Sequence, residues 1–305
     1  MKNHQNANNH IVHHSMKIST PYTEAISIEN LCKSYKDFQL DNVSLHVPKG
    51  TVMGFVGQNG SGKTTTIKSI LNLIKTDSGT IQVLGHDAFT DSVLAKQEIG
   101  IVFDELGVPD TLNCNMIDKI MKNIYKNWDS DEFFRYTDVF KLPRDKVLKK
   151  FSRGMQMKSQ MAIALSHHAN LLILDEATAG LDPVARNELL DMLLDYMEDE
   201  NHSILMSSHI TSDLERVADY ITFIDNGKII LTDEKYHLSE THMIVKGSTK
   251  EIETLPKELI VSVRKNSYGC EALTNHPDSL KELTPNLVYD KASFDDILCF
   301  YIKKP

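Results

Sequence analysis

The sequence predicts an α/β fold built on a mainly parallel sheet, with a small α+β appendage at its C-terminal end. Three observations carry this. From residue 26 to about 235, strand-sized apolar runs alternate with helical stretches, a pattern that needs crossover helices between parallel strands. A Gly-rich turn stands directly between the apolar run Val52–Val56 and a helical stretch. Past about 235 the pattern changes to short strands and helices with few glycines. The 305 residues, 41% of them hydrophobic, are ample for a real core.

Taken in order, Ile26–Leu31 and Val43–Val47 read as strands, the second preceding the turn Pro48-Lys49-Gly50. Val52–Val56 reads as a buried strand and Lys63–Ile74 as a helix by its periodicity. Ile81–Leu84 and Ile99–Phe103 are again strand-like. A polar, Lys-rich helical block covers roughly 112–150, interrupted by Pro143. Ser152 is placed to cap a helix reaching about His168. The apolar strand Leu171–Leu174, a helix opening at Pro183 and the strand Ser203–Met206 follow. A helix around Ser212–Ala218 leads to a hairpin of Tyr220–Ile224 and Lys228–Leu231 across Asp225-Asn226-Gly227. No internal repeat is visible.

Composition removes several classes of function. With 33 basic against 42 acidic residues the net charge is −9, which argues against a nucleic-acid binder working by bulk charge. No stretch approaches 18 consecutive apolar residues, so no membrane span is expected. The four cysteines, Cys32, Cys114, Cys270 and Cys299, stand far apart and fit neither a zinc site nor a disulfide scaffold. Residues 1–15 are rich in Asn and His and lack an apolar signal region. Adjacent His13 and His14 read as solvated tail residues rather than metal ligands.

Gly57-Gln58-Asn59-Gly60-Ser61-Gly62-Lys63-Thr64 matches the phosphate-loop pattern G-x-x-x-x-G-K-[ST]. Glycines let successive backbone N–H groups converge on phosphate oxygens, at the positive end of the helix that follows. Lys63 is expected to reach the β- and γ-phosphates, and the Thr64 hydroxyl to coordinate Mg²⁺. The preceding apolar strand and following helix supply the context that the pattern requires.

Leu171–Leu174 ends in Asp175-Glu176. Alone, this pair reads more readily as an acidic helix cap after a core strand. Beside a phosphate loop in the same sheet it reads as catalytic, because ligands of open α/β sheets bind at the carboxyl ends of the strands. Asp175 is then a Mg²⁺ ligand, through water, and Glu176 polarises the attacking water. The reaction implied is phosphoryl transfer from ATP to water.

Three further segments narrow the class: Phe151-Ser152-Arg153-Gly154-Met155-Gln156 before the acidic strand, then Ala179-Gly180-Leu181-Asp182, then Ser207-Ser208-His209. In order and spacing, the set resembles the ATP-binding subunits of ABC transporters over about residues 26–235. The resemblance implies a phosphate-loop NTPase of ABC type, with an antiparallel β subdomain and a helical subdomain around 106–155. It implies a flexible leader over 1–25, an ATPase domain over 26–235 and a separate small α+β domain over 236–305.

In that family two subunits sandwich two ATP molecules, each site pairing one phosphate loop with the other subunit's signature segment. By position, Ser152 and Gly154 contact the γ-phosphate across the dimer, aided by the helix they open. His209 becomes the γ-phosphate switch, Asp182 part of the loop linking the two sites, and Thr65 a further nucleotide contact beside Thr64. Tyr35, which alone reads as a surface aromatic at a strand end, falls where the family stacks a ring on adenine.

Three departures stand out. Arg153 and Met155 occupy signature positions where Gly and Gln are commonest, and Ala177 replaces a usual Pro. In Ile99-Gly100-Ile101-Val102-Phe103-Asp104-Glu105, Asp104 stands where the family has a Gln that touches Mg²⁺ and relays motion to the membrane subunit. A carboxylate is a competent Mg²⁺ ligand, so Asp104 joins Thr64 and Asp175 in the expected metal set. Arg153, Asp104 and the appendage resemble an exporter-type branch associated with peptide-antibiotic resistance and small efflux systems. The resemblance implies a second ATPase subunit, a separate integral membrane permease, no nucleic-acid partner, and a cytoplasmic location, peripheral on the membrane. The helical block, with Asp104-Glu105 at its entrance, is then the docking element for the permease. The alternative reading is a soluble ABC ATPase with a regulatory, non-transport role.

Overall fold

The computed structural model describes residues 23–266 and 269–302. The tail histidines and all but the last three residues of the expected leader lie outside the described residues. The chain opens with β1 (Glu24–Ser34) and β2 (Gln39–Pro48), an antiparallel pair. After β3 (Val52–Val56) and α1 (Lys63–Ile70), β4 (Ser78–Val83) and β5 (His86–Asp87) complete a four-stranded antiparallel sheet in the order β2-β1-β4-β5. Next come α2 (Ser92–Gln97) and β6 (Ile99–Phe103), then α3 (Cys114–Ile124), α4 (Ser130–Val139) and α5 (Arg153–Leu165).

β7 (Leu171–Asp175), α6 (Pro183–Tyr196), β8 (Ser203–Ser208), α7 (Thr211–Val217), β9 (Tyr220–Asp225) and β10 (Lys228–Glu234) complete a six-stranded sheet. Its order is β10-β9-β3-β8-β7-β6, parallel throughout except for the β9–β10 hairpin. A last unit follows: α8 (Lys235–Thr241), β11 (Met243–Gly247), α9 (Thr249–Glu253), β12 (Ser262–Asn266), β13 (Gly269–Thr274), α10 (Pro277–Leu283), β14 (Val288–Lys291) and α11 (Phe294–Ile302). Its four strands pair antiparallel in the order β12-β13-β11-β14.

Every residue of β3, β7 and β8 is buried, because layers cover both faces of the central sheet. Alternate residues feed two cores. Met53, Phe55, Leu171, Ile173 and Leu205 pack with Ile26, Ile28, Leu45 and Val47 of the antiparallel sheet. Val52, Val56, Leu172, Leu174, Ile204 and Met206 pack with Leu189, Leu190 and Leu193 of α6. α3, α4 and α5 enclose their own core around Ile117, Met121, Phe133, Leu148 and Phe151.

Most expected elements appear, with shifted bounds. α1 stops at Ile70 rather than Ile74, because Asn72 turns into the left-handed region at φ 48°. The helical block divides into α3 and α4, capped by the side chains of Asn113 and Asp129, which accept from the backbone N–H of Met116 and Glu132. Ile244, Leu273, Phe294, Ile297 and Phe300 of the C-terminal unit belong to the same apolar cluster as Leu214, Val217 and Phe223. Sequence pattern alone does not reveal that shared core. All four cysteines are free.

Candidate active site

Four parallel strands deliver chemistry-bearing residues to one edge of the sheet. β3 leads into the phosphate loop, β6 into Asp104, β7 into Asp175-Glu176, and β8 into Ser207-Ser208-His209. The pairing register sets Asp175 opposite both Phe103 and Ser207, so the strand ends are level.

The loop is shaped by close approaches. A Cβ at Gly57 would collide with the Ile224 carbonyl and with Ser61 Oγ, so only glycine passes between β9 and the loop. Gly62, at φ 120°, opens α1, and a Cβ there would stand 2.7 Å from Leu40 Cδ2. Ser61 Oγ is buried without a hydrogen-bond partner, an orphaned hydroxyl that a phosphate oxygen would satisfy. Lys63 is 5% exposed. Its Nζ donates to the carbonyls of Gly57 at 2.6 Å and Gln58 at 3.3 Å, and lies 3.1 Å from Glu176 Oε1.

Glu176 is the hub of the site. It occupies the left-handed region at φ 53°, a conformation that costs a non-glycine residue roughly 1 kcal/mol. Its backbone N–H donates to the carbonyl and the Oγ of Ser207, at 3.2 and 3.1 Å, which holds it there. Glu176 Oε2 lies 2.6 Å from His209 Nδ1 and accepts from the His209 backbone N–H at 3.3 Å. Ser207 Oγ also donates to Asp175 Oδ1 at 2.6 Å, so one serine orients both acids. Lys63, Glu176 and His209 thus form a continuous chain of contacts from phosphate loop to β8.

Two clefts meet at this hub. One, of about 550 Å³, is lined by Asn59, Gly60, Gly62, Lys63, Thr64 and Thr65 together with Glu176, Asp37, Phe38 and Asn226. The other gathers Thr64, Asp104, Asp175 and Glu176 beside Leu73 and Leu106. Among the described residues no group of three His, Cys, Asp or Glu side chains forms a metal cage by itself. The oxygen donors of the second cleft nevertheless suit Mg²⁺, which binds through one or two carboxylates and completes its shell with phosphate and water.

Other expected residues fall elsewhere. Ser152, Gly154 and Asp182 line a separate cleft with Met155, Lys158 and Val184, so one chain does not bring them to its own phosphate loop. Both Ser152 and Asp182 are helix N-caps: Ser152 Oγ accepts from the Met155 N–H, and Asp182 Oδ1 from those of Val184 and Ala185. Tyr35 is 49% exposed, with the Lys33 ammonium 5.3 Å from its ring centre, and is absent from the lining of the phosphate-loop pocket. Phe38 lines that pocket instead, joined to Tyr35 by a turn in which the Tyr35 N–H donates to the Phe38 carbonyl at 2.7 Å. The sequence shows two rings three residues apart; only the turn decides which one faces the loop. Asp104 carries an ion pair with Arg153, a partner that the sequence does not suggest.

Comparison with known proteins extends the geometry. Residues 40–179 match the family model described as ABC transporter. The chain is 34% identical over 209 residues to the bacitracin transport ATP-binding protein BcrA of Bacillus licheniformis, covering 67% of this chain and 68% of that protein. It is 36% identical over 211 residues to the lantibiotic transport ATP-binding protein SrtF of Streptococcus pyogenes, covering 68% and 90%. A solved ATP-binding subunit of an ABC transporter superposes with a TM-score of 0.64 at 23% identity, over 71% of this chain and 92% of that one. A dimeric ATP-binding cassette bound to ADP and Pi gives 0.62 at 19%, over 69% and 98%. At these identities the solved structures speak for the fold alone.

Proposed function

Because the chain belongs to the ATP-binding subunits of ABC transporters, we propose that its Lys63–Glu176–His209 chain forms the hydrolytic centre of one half of a two-site ATPase dimer. The protein is an ATPase of an exporter-type transporter. Our reading adds which residues act, on which cation, and with which partners.

The continuous contact from Lys63 through Glu176 to His209 carries the proposal. Phosphoryl transfer needs positioning and charge stabilisation more than covalent chemistry. Lys63 and the loop N–H groups hold the β- and γ-phosphates, and Ser61 supplies its unpartnered hydroxyl. Glu176, fixed by Ser207 and His209, accepts the proton of the attacking water, and His209 senses the γ-phosphate. Thr64, Asp175 and Asp104 would hold Mg²⁺, which when bound neutralises charge developing on the phosphates. The separation of Ser152 and Gly154 from the phosphate loop supports completion of each site by a second subunit.

The partner that receives the motion is a polytopic permease. Among the described residues no helix is long and apolar enough to cross a membrane. α3 presents Met116, Ile120 and Ile124 as exposed residues spaced four apart, an apolar stripe without cover. Exposed Leu73 and the Asp104-Glu105 pair share the cleft between sheet and helical layer. This surface supports docking of a permease's cytoplasmic helix, with the chain peripheral on the cytoplasmic face. The names of the relatives, for bacitracin and lantibiotic transport, suggest peptide-antibiotic cargo.

Glu176→Gln tests the centre. Steady-state turnover should fall by about two orders of magnitude or more, and a Mg-ATP-dependent dimer should accumulate on size exclusion. Turnover near wild type, or absence of that dimer, would overturn the role of Glu176.

A further inference from the structure

Asp104 does not sit free in its cleft. It follows β6 in a loop attached to α5 at two places. Gln160, in the middle of α5, accepts from the N–H groups of Phe103 and Gly107 at 3.3 and 3.4 Å and donates to the Phe103 carbonyl at 3.1 Å. It therefore clasps the loop on both sides of Asp104. At the start of α5, the Arg153 guanidinium pairs with the Asp104 carboxylate. Arg153 Nε also donates to the Ala179 carbonyl at 2.8 Å. The guanidinium lies so close over Gly180 that a Cβ there would stand 2.8 Å from Nε. One side chain thus ties the loop after β6, the loop after β7 and the signature helix together.

We propose that Arg153 is a positioning residue that holds the Asp104 carboxylate against the signature helix, so that Asp104 reaches a cation at Thr64 and Asp175 only when this clasp opens. The proposal rests on the nucleotide-binding reading above and adds to it a competition within the chain. Asp104 has one strong cationic partner at a time: the Arg153 guanidinium, or a divalent ion in the cleft it shares with Thr64, Asp175 and Glu176. Arg153 lies in the chain between Ser152 and Gly154, which line the cleft assigned above to a second subunit, so its exchange of partner takes place next to that surface. Cation loading at one nucleotide and exposure of the signature segment toward the other are coupled by one exchangeable contact.

The strength of the clasp suits a switch. Arg153 and Asp104 side chains are 43% and 51% exposed, and ion pairs of that exposure stabilise by about fivefold at most. A divalent cation carrying two charges outcompetes such a pair readily. The Gln160 contacts keep the loop on α5 meanwhile, so opening moves a side chain rather than the backbone.

The test uses the full chain and a fluorescent ATP analogue, titrated with Mg²⁺ and again with EDTA. The ratio of the two dissociation constants reads how much the cation adds. Arg153→Gln should raise that ratio about three- to fivefold by freeing Asp104. Arg153→Lys, which retains the charge, should stay close to wild type, and Arg153→Gln should have no effect in an Asp104→Asn background. Normal nucleotide binding with a ratio unchanged by Arg153→Gln, or an equal change in the Asp104→Asn background, overturns the proposal alone. Failure of the wild-type chain to bind the analogue overturns the nucleotide reading and this proposal with it.

Discussion

Lys63 and Glu176 form an ion pair at 3.1 Å, both largely buried, so neither is indifferent to loss of its partner. Lys63→Ala should weaken binding of an ATP analogue by about tenfold to a hundredfold, since the lost group makes a charge-assisted contact to phosphate. Equilibrium titration checks this, and unchanged affinity would remove Lys63 from the site. The two aromatic residues offer a sharper comparison. Phe38 lines the phosphate-loop pocket while Tyr35 stands beside it, half exposed. Base stacking contributes about 1–3 kcal/mol by alanine substitution, so Phe38→Ala should weaken nucleotide affinity by at least fivefold, and Tyr35→Ala by less. The reverse order would assign the stacking role to Tyr35.

Among elements, α5 bears the most. Its first turn carries the signature residues, its N-terminus is capped by Ser152, and its middle holds the loop of Asp104. Ser152→Ala removes the cap and should cost about 1 kcal/mol, read as a lowered urea midpoint; Ser152→Asp, a competent cap, should recover it. α3 makes the opposite prediction. Changing Met116, Ile120 and Ile124 together to Ser should abolish co-purification with a polytopic membrane protein while leaving thermal stability nearly unchanged, because all three are exposed. Retained co-purification would move the permease surface elsewhere.

At the scale of the whole molecule, two buried histidines join units distant in the chain. His167 stacks on Tyr125 with ring centres 3.9 Å apart, its ring nitrogens 3.1 Å from the carbonyls of Ile163 and Ile99, linking helical layer to sheet. His242 lies 3.1 Å from the Tyr301 hydroxyl, linking the end of α8 to α11. Burial pushes both below the ordinary 6.5, although their backbone contacts oppose it. A lowered folded value means the unfolded chain binds protons first, so this stability is fully present above 6.5 and is lost as pH falls below it. The urea midpoint should therefore fall between about pH 7 and pH 5.5, and His167→Gln should flatten the decline. A midpoint that rises over that interval would contradict the assignment. Elsewhere burial pushes the Cys114 thiol up to about 11, which keeps it protonated and unreactive.

The sequence by itself determined what depends on local pattern. Phosphate-loop spacing, the apolar strand ending in two acids, the cap Ser152 and the β9–β10 hairpin are all set by residues near one another in the chain. For that reason the parallel sheet, and the residues that gather at the ends of its strands, were legible in the sequence. Tertiary structure decided what depends on residues far apart. It chose Phe38 over Tyr35 for the pocket lining, merged the core of the C-terminal unit with that of the sheet, and set Arg153 on Asp104 across 49 positions. Those outcomes follow from which surfaces are pressed together once the strands are ordered, and no periodicity of 2 or 3.6 residues encodes that.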